Sequence, residues 1–190
     1  MKTVFFDVDS QLDFLYPAGA LYVPGAETIV KRLTELTNFA AANQIQIVST
    51  MDAHSEDDPE FKTWKPHCVA GTNGQQKAAG TVTGQRVILR APEEAKDAGQ
   101  IIVEKQNIDC FTNPNLAPLI EALRADRYVV YGVATEVCVQ CAAFGLLKRG
   151  ARVELVTDAI RGIQEQDEQK MLDEFRGLGG STIKSSDVLA

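Results

Sequence analysis

The 190-residue sequence predicts an α/β fold: a doubly wound parallel sheet with helices on both faces, in a Rossmann-like order. Three observations carry this. Short β-rich runs alternate along the chain with segments of helical periodicity. The runs are apolar at successive positions, as in strands covered on both faces. No internal repeat, low-complexity tract or linker breaks the alternation, so residues 1–190 read as a single domain.

Residues 4–8 form an apolar run broken only by Asp7. Residues 27–42 place Ile29, Leu33, Leu36 and Ala40 on one face, the pattern of an amphipathic helix. Residues 45–51 read as a second strand. Residues 52–80 are mostly polar, with Pro59, Pro66, Gly71, Gly74 and Gly80, and read as a long loop of the kind usually tied to function. Residues 86–90 and 101–104 read as strands. Residues 114–125 read as a helix opening at Pro114. Then follow a strand over 128–133, a helix over 137–149 ending at Gly150, a strand over 153–157, a helix over 164–175 and a short strand over 182–184.

Composition sets further bounds. Apolar residues make up 45% and charged residues 24%, which fits a globular chain. Nineteen Lys and Arg against 26 Asp and Glu give a net charge of −7, which argues against nucleic acid or an anionic membrane as partner. Four cysteines are too few for a disulfide scaffold at this length. The N-terminus meets Asp7 after three consecutive apolar residues, so no signal peptide fits. Residues 128–147 are weakly charged but carry Glu136 and Gln140 near the centre, which favours a strand and helix over a membrane span. A soluble, reduced, cytoplasmic protein is expected.

Ligands of open parallel sheets bind beyond the carboxyl ends of the strands. The first strand leads to Asp9 and Asp13, the second to Asp52 and His54, the strand at 101–104 to Lys105, and the strand at 128–133 to Cys138 at a helix start. A helix N-terminus and a nearby lysine favour a thiolate. A carboxylate such as Asp9 suits proton transfer to and from a leaving amine. Asp52 and His54, spaced i, i+2, share a face in extended chain. With His67 they make a donor set for Zn, Mn or Fe(II).

Other readings stand beside this one. Asp7-Val8-Asp9 resembles the first motif of haloacid-dehalogenase-type phosphatases, which would make Asp7 a nucleophile, require Mg²⁺ and use Asp158 as the late acid. Cys138 and Cys141 form a CxxC pair, open to a redox disulfide, with Cys141 otherwise a core residue one turn on. The glycine-rich stretch 177–181 precedes a strand and is a poor phosphate cradle. No Gly-x-Ser-x-Gly elbow is present, and both histidines precede Cys138, which excludes a papain-type order.

Taken in order, three motifs resemble the isochorismatase-like cysteine hydrolases, and within them the nicotinamidases. They are Asp9-Ser10-Gln11-Leu12-Asp13-Phe14, Val103-Glu104-Lys105 and Gly132-Val133-Ala134-Thr135-Glu136-Val137-Cys138-Val139. The middle loop adds Asp52-Ala53-His54, Pro59-Glu60 and Trp64-Lys65-Pro66-His67 before Gly71-Thr72. The resemblance implies that Cys138 attacks a carboxamide through a thioester, Asp9 shuttles the proton and Lys105 stabilises the charges. It implies an oxyanion hole from the N–H groups of Ala134 and Cys138, with a cis bond at Val133–Ala134. It implies one divalent metal ion, zinc first and manganese or iron also compatible, on Asp52, His54 and His67, with Glu60 as a fourth ligand. Phe14 and Trp64 would hold the ring of nicotinamide or a close heteroaromatic amide, in a chain that forms a homo-oligomer. Lys65, Ala53 and the Glu136-Val137 pair depart from the usual pattern and bear on which amide fits.

Overall fold

Residues 1–89 and 98–190 are described in a computed structural model of the chain. Seven strands form one sheet: β1 (Thr3–Val8), β2 (Gln46–Asp52), β3 (Arg86–Ile88), β4 (Gln100–Lys105), β5 (Arg127–Val133), β6 (Arg152–Arg161) and β7 (Ser181–Ile183). Their order is β3-β4-β2-β1-β5-β6-β7, and every pairing is parallel. The helices are α1 (Leu12–Leu15), α2 (Val30–Ala42), α3 (Leu116–Leu123), α4 (Gln140–Lys148) and α5 (Glu165–Gly177). The predicted doubly wound architecture is observed. Among the described residues no helix is long and apolar enough to cross a membrane.

Strand alternation builds two apolar layers. Val4, Phe6 and Val8 of β1 join Val48, Ile101, Val103 and Val130 on one face, against α3, α4 and α5. Phe5 joins Ile47, Val129, Tyr131 and Val156 on the other, against α1 and α2. Each large side chain so buried stabilises the fold by about 1.5–3 kcal/mol before the entropy of ordering is set against it. Both faces are covered, so the strands read as largely apolar runs.

Sheet order places the switch point between β1 and β5, where successive connections turn in opposite directions. Registers then bring distant residues side by side: Val8 faces Gly132, and Asp52 faces Lys105. Gly132 has φ 122°, and a Cβ there would stand 2.0 Å from the Val8 carbonyl oxygen. Only glycine lets β5 approach β1 this closely.

Several boundaries differ from expectation. The helix expected from residue 27 starts at Val30, after a 3₁₀ turn over Ala26–Thr28. The helix expected to open at Pro114 starts at Leu116, because the Asn113 side chain accepts from the Asn115 N–H at 2.9 Å and turns the chain first. Strand β6 runs four residues past the expected end at 157. Asp158 stays within it because its carboxylate accepts from the Ser185 N–H and hydroxyl, each at 2.7 Å. The expected 137–149 helix is a π-helical turn over Thr135–Val139 followed by α4. Arg90, expected to end the third strand, lies outside the described residues.

Candidate active site

The loop after β1 folds Asp9 into the left-handed region at φ 47° and buries it completely. Its Oδ1 accepts from the Thr50 hydroxyl at 2.6 Å, and its Oδ2 lies 3.0 Å from Lys105 Nζ. Lys105, at the end of β4, is equally buried. Its ammonium also pairs with Asp52 Oδ1 and stands 3.6 Å from Cys138 Sγ. One ammonium therefore joins a proton acceptor, a thiol and a second carboxylate. Burial works against its charge, yet Asp9, Cys138 and Asp52 hold it protonated well above the usual lysine range.

The carboxylates respond in opposite directions. Burial lifts Asp9 above its ordinary value, against the pull of Lys105. Burial would also raise Asp52, but Lys105 and hydrogen bonds to both histidines bring it well below the usual carboxylate range. Burial pushes the Cys138 thiol well up, opposed by Lys105. Burial thus favours the neutral thiol and the neutral Asp9 carboxyl, and the Lys105 ammonium favours the charged form of each.

Cys138 sits in the π-helical turn that follows β5, and the Val133–Ala134 bond is cis. The Ala134 carbonyl accepts from the N–H groups of Val137 and Val139, at 3.0 and 3.1 Å. Ala134 and Cys138 both face a pocket of about 120 Å³. Cys68, Cys110, Cys138 and Cys141 are all free thiols. Cys141 is half-buried, not the core residue expected.

Asp52, joined to the thiol through Lys105, converges with His54 and His67. Asp52 Oδ2 lies 3.7 Å from His54 Nε2 and 3.6 Å from His67 Nε2, and all three residues are buried. The far ring nitrogens are engaged elsewhere. His54 Nδ1 is 3.0 Å from Asp58 Oδ2, and His67 Nδ1 is 2.7 Å from the Lys65 carbonyl. The His67 bond draws that ring's proton to Nδ1 and leaves its Nε2 lone pair toward the cluster, as metal-bound histidines require, and the Asp58 carboxylate beside His54 Nδ1 favours the same arrangement there. Among the described residues this is the one group of three or more such donors within ligand reach of one another. The donor set fits a divalent cation. Glu60 faces the pocket but stands outside this group of three, and burial raises its carboxyl above the ordinary value. Lys65 contributes its carbonyl, so the departure from proline there leaves this bond intact.

Phe14 and Trp64 both line the pocket, with the Phe14 ring 5.3 Å from that of His67. Leu21, Tyr22, Val133 and Ile163 complete mostly apolar walls. Gln11, Asp13 and Asp58 were not predicted to act here. Gln11 clamps Asp52 by accepting from its N–H at 2.7 Å and donating to its carbonyl at 2.9 Å. Asp13 accepts from the Cys68 N–H at 2.7 Å and so fixes the chain beside His67. Their acid and amide types in the first motif were the only signal, since their partners lie 41 and 55 residues away.

The isochorismatase domain family matches residues 3–187. The chain belongs to the isochorismatase family. Within this family it is 26% identical to the nicotinamidase/pyrazinamidase of Mycobacterium tuberculosis, over 94% of this chain and 97% of that one. It is 22% identical to a maleamate amidohydrolase of Pseudomonas putida, over 99% of this chain and 85% of that one. Its backbone superposes on the pyrazinamidase of Pyrococcus horikoshii, solved in complex with zinc, with a TM-score of 0.81 and 30% identity. That match covers 97% of this chain and 99% of the other.

The phosphatase alternative finds no support. Asp7 is fully buried, paired with Lys77 at 3.0 Å and held by the hydroxyls of Ser10 and Ser49, while Asp158 is taken up by Ser185. Neither carboxylate lines the pocket.

Proposed function

We propose that this amidohydrolase is a metal-containing cysteine amidase that hydrolyses nicotinamide, or a close heteroaromatic amide, to the acid and ammonia. The observation that carries the reading is the single Lys105 ammonium shared by Asp9, Cys138 and Asp52, behind a pocket that Cys138 and Asp52 line.

In this reading Cys138 Sγ attacks the carboxamide carbon while its proton passes to Asp9. Negative charge develops on the amide oxygen, and the N–H groups of Ala134 and Cys138 receive it. Asp9 returns the proton to the nitrogen as the C–N bond breaks, so ammonia leaves and a thioester remains. Asp9 then takes a proton from water, whose oxygen attacks the thioester carbon. The acid is released and the thiol re-forms. Lys105 stays protonated throughout and balances Asp9 and the sulfur. Asp52, His54 and His67 would hold the metal, zinc by preference, with Glu60 as a fourth donor. When bound, the metal supplies a Lewis-acidic anchor for a ring nitrogen or a water. Phe14 and Trp64 pack the ring faces.

A flat, uncharged ring suits the walls. Among the described lining residues none is Lys or Arg, which favours a neutral heteroaromatic amide over one bearing a carboxylate. The same reading makes residues 1–190 one functional unit, cytoplasmic, part of NAD salvage and working as a homo-oligomer. The test is ammonia release from nicotinamide by the metal-loaded protein and by Cys138→Ala. Release by the intact protein alone supports the cysteine amidase. No release by either, with metal bound, removes nicotinamide as the substrate.

A further inference from the structure

Beneath the Asp9 loop lies a second buried ion pair that the chemistry above leaves unused. Lys77 Nζ stands 3.0 Å from Asp7 Oδ2, and both side chains are almost wholly buried. The Ser10 hydroxyl donates to the same Oδ2 at 3.0 Å, and that of Ser49 does so at 3.1 Å. Lys77 also donates to the Thr50 carbonyl at 3.2 Å. The pair thus grips the two residues that flank Asp9 in space. Ser10 follows it in the chain. Thr50 supplies the hydroxyl bonded to Asp9 Oδ1 and accepts from the Asp9 N–H at 3.3 Å. The loop bearing Lys77 closes the frame through the Ala78 N–H, 2.8 Å from the Ser10 carbonyl.

Asp9 needs such a frame. It is not glycine, yet it occupies φ 47°, a conformation that persists only where the surroundings over-determine it. An apolar pair would fill this space without the cost of burying two charges. Two buried charges aimed at the neighbours of one carboxylate point to a geometric task.

We propose that Asp7 and Lys77 form a positioning unit for the proton-shuttling carboxylate: through Ser10 and Thr50 they hold Asp9 in its left-handed turn with Oδ2 on Lys105. Neither touches substrate. Asp7 therefore acts on the reaction from below the pocket, through the geometry of Asp9. This rests on the amidase reading for its turnover arm and is independent of it for its thiol arm.

The experiment compares wild type with Asp7→Asn, Lys77→Met and the two combined. The double variant removes both charges and keeps both volumes, so it leaves no lone buried ion. Expected for the double variant is a Tm within about 4 °C of wild type, the shift from about 1–2 kcal/mol in a domain of this length. Expected with it is a kcat on nicotinamide lower by about 100-fold, the effect of a misplacement near 1 Å, with KM within about threefold. The second arm needs no substrate. The rate at which iodoacetamide alkylates Cys138, read by mass spectrometry of its peptide, is expected to fall by about tenfold or more once Asp9 no longer meets the thiol proton. A double variant with wild-type Tm, kcat and alkylation rate overturns the proposal and leaves the pair a purely structural one. Should the double variant fail to fold, Ser10→Ala removes one hydroxyl only, and unchanged kcat and alkylation rate there overturn it equally. If the wild type itself turns over no amide, the substrate reading fails, and the alkylation arm still decides the role of the pair.

Discussion

Lys105→Met keeps the side-chain stem and deletes the one cation between Asp9 and Asp52. At 3.0 Å and an effective dielectric near 20, its attraction to Asp9 alone is about 5.5 kcal/mol, and the pairing with Asp52 adds a comparable amount. Burying the ammonium costs several kcal/mol in return, so the net loss at pH 7 is expected at about 3–5 kcal/mol. The pH dependence is the sharper test. In the wild type Asp52 lies below its unfolded value, so its contribution is present above about pH 4 and lost as pH falls through the depressed folded value. In Lys105→Met, Asp9 is buried without a counter-charge and titrates above its unfolded value, while Asp52 keeps its hydrogen bonds to the two histidines. The folded variant then binds more protons than the unfolded chain. Its stability should recover on going from pH 7 to 5, by up to about 1.4 kcal/mol per pH unit as Asp9 titrates. Urea unfolding of metal-free protein at both pH values measures this. An equal deficit relative to wild type at pH 5 and pH 7 would refute the shared-ammonium account.

Three further outcomes are expected. Because burial raises Asp9 and the reaction needs it ionised, the acid limb of kcat/KM on nicotinamide should lie above about 3.9, the ordinary aspartate value, and a limb at or below it contradicts Asp9 as the base. Asp58→Ala frees the His54 ring, which should weaken metal binding by about 10–100-fold in competition with a chromophoric chelator; unchanged affinity removes Asp58 from the support of the site. Gly132→Ala forces a Cβ onto the Val8 carbonyl at a positive φ, which should destabilise the protein by about 3 kcal/mol or more in urea unfolding, and a loss below about 1 kcal/mol would mean that β5 can shift away.

The layered sheet was legible because its strands are buried on both sides, so their apolar runs hardly depend on partners. The chemistry-bearing residues were legible for a related reason. Asp9, Asp52, Lys105 and Cys138 each stand at or just beyond a strand end, and parallel strands deliver their ends to one side. Boundaries were less legible where a side chain from elsewhere decides them. Ser185 keeps Asp158 in β6, and Asn113 delays α3 past Pro114. The π-helical turn at 135–139 has the same residue types as an ordinary helix start. Lys77, Gln11 and Asp58 were invisible as supports because a buried polar residue declares itself only through its partner. Lys77 finds its partner across 70 residues of chain.

Among the described residues both outermost strands, β3 and β7, are three residues long. An edge that short offers few free N–H and C=O groups to a strand from another molecule. The sheet is therefore poorly suited to growing by addition of further chains, either as an ordered extension or as the first step toward a fibril. The architecture that collects the reactive groups at one end thus also blunts the sheet at its two sides.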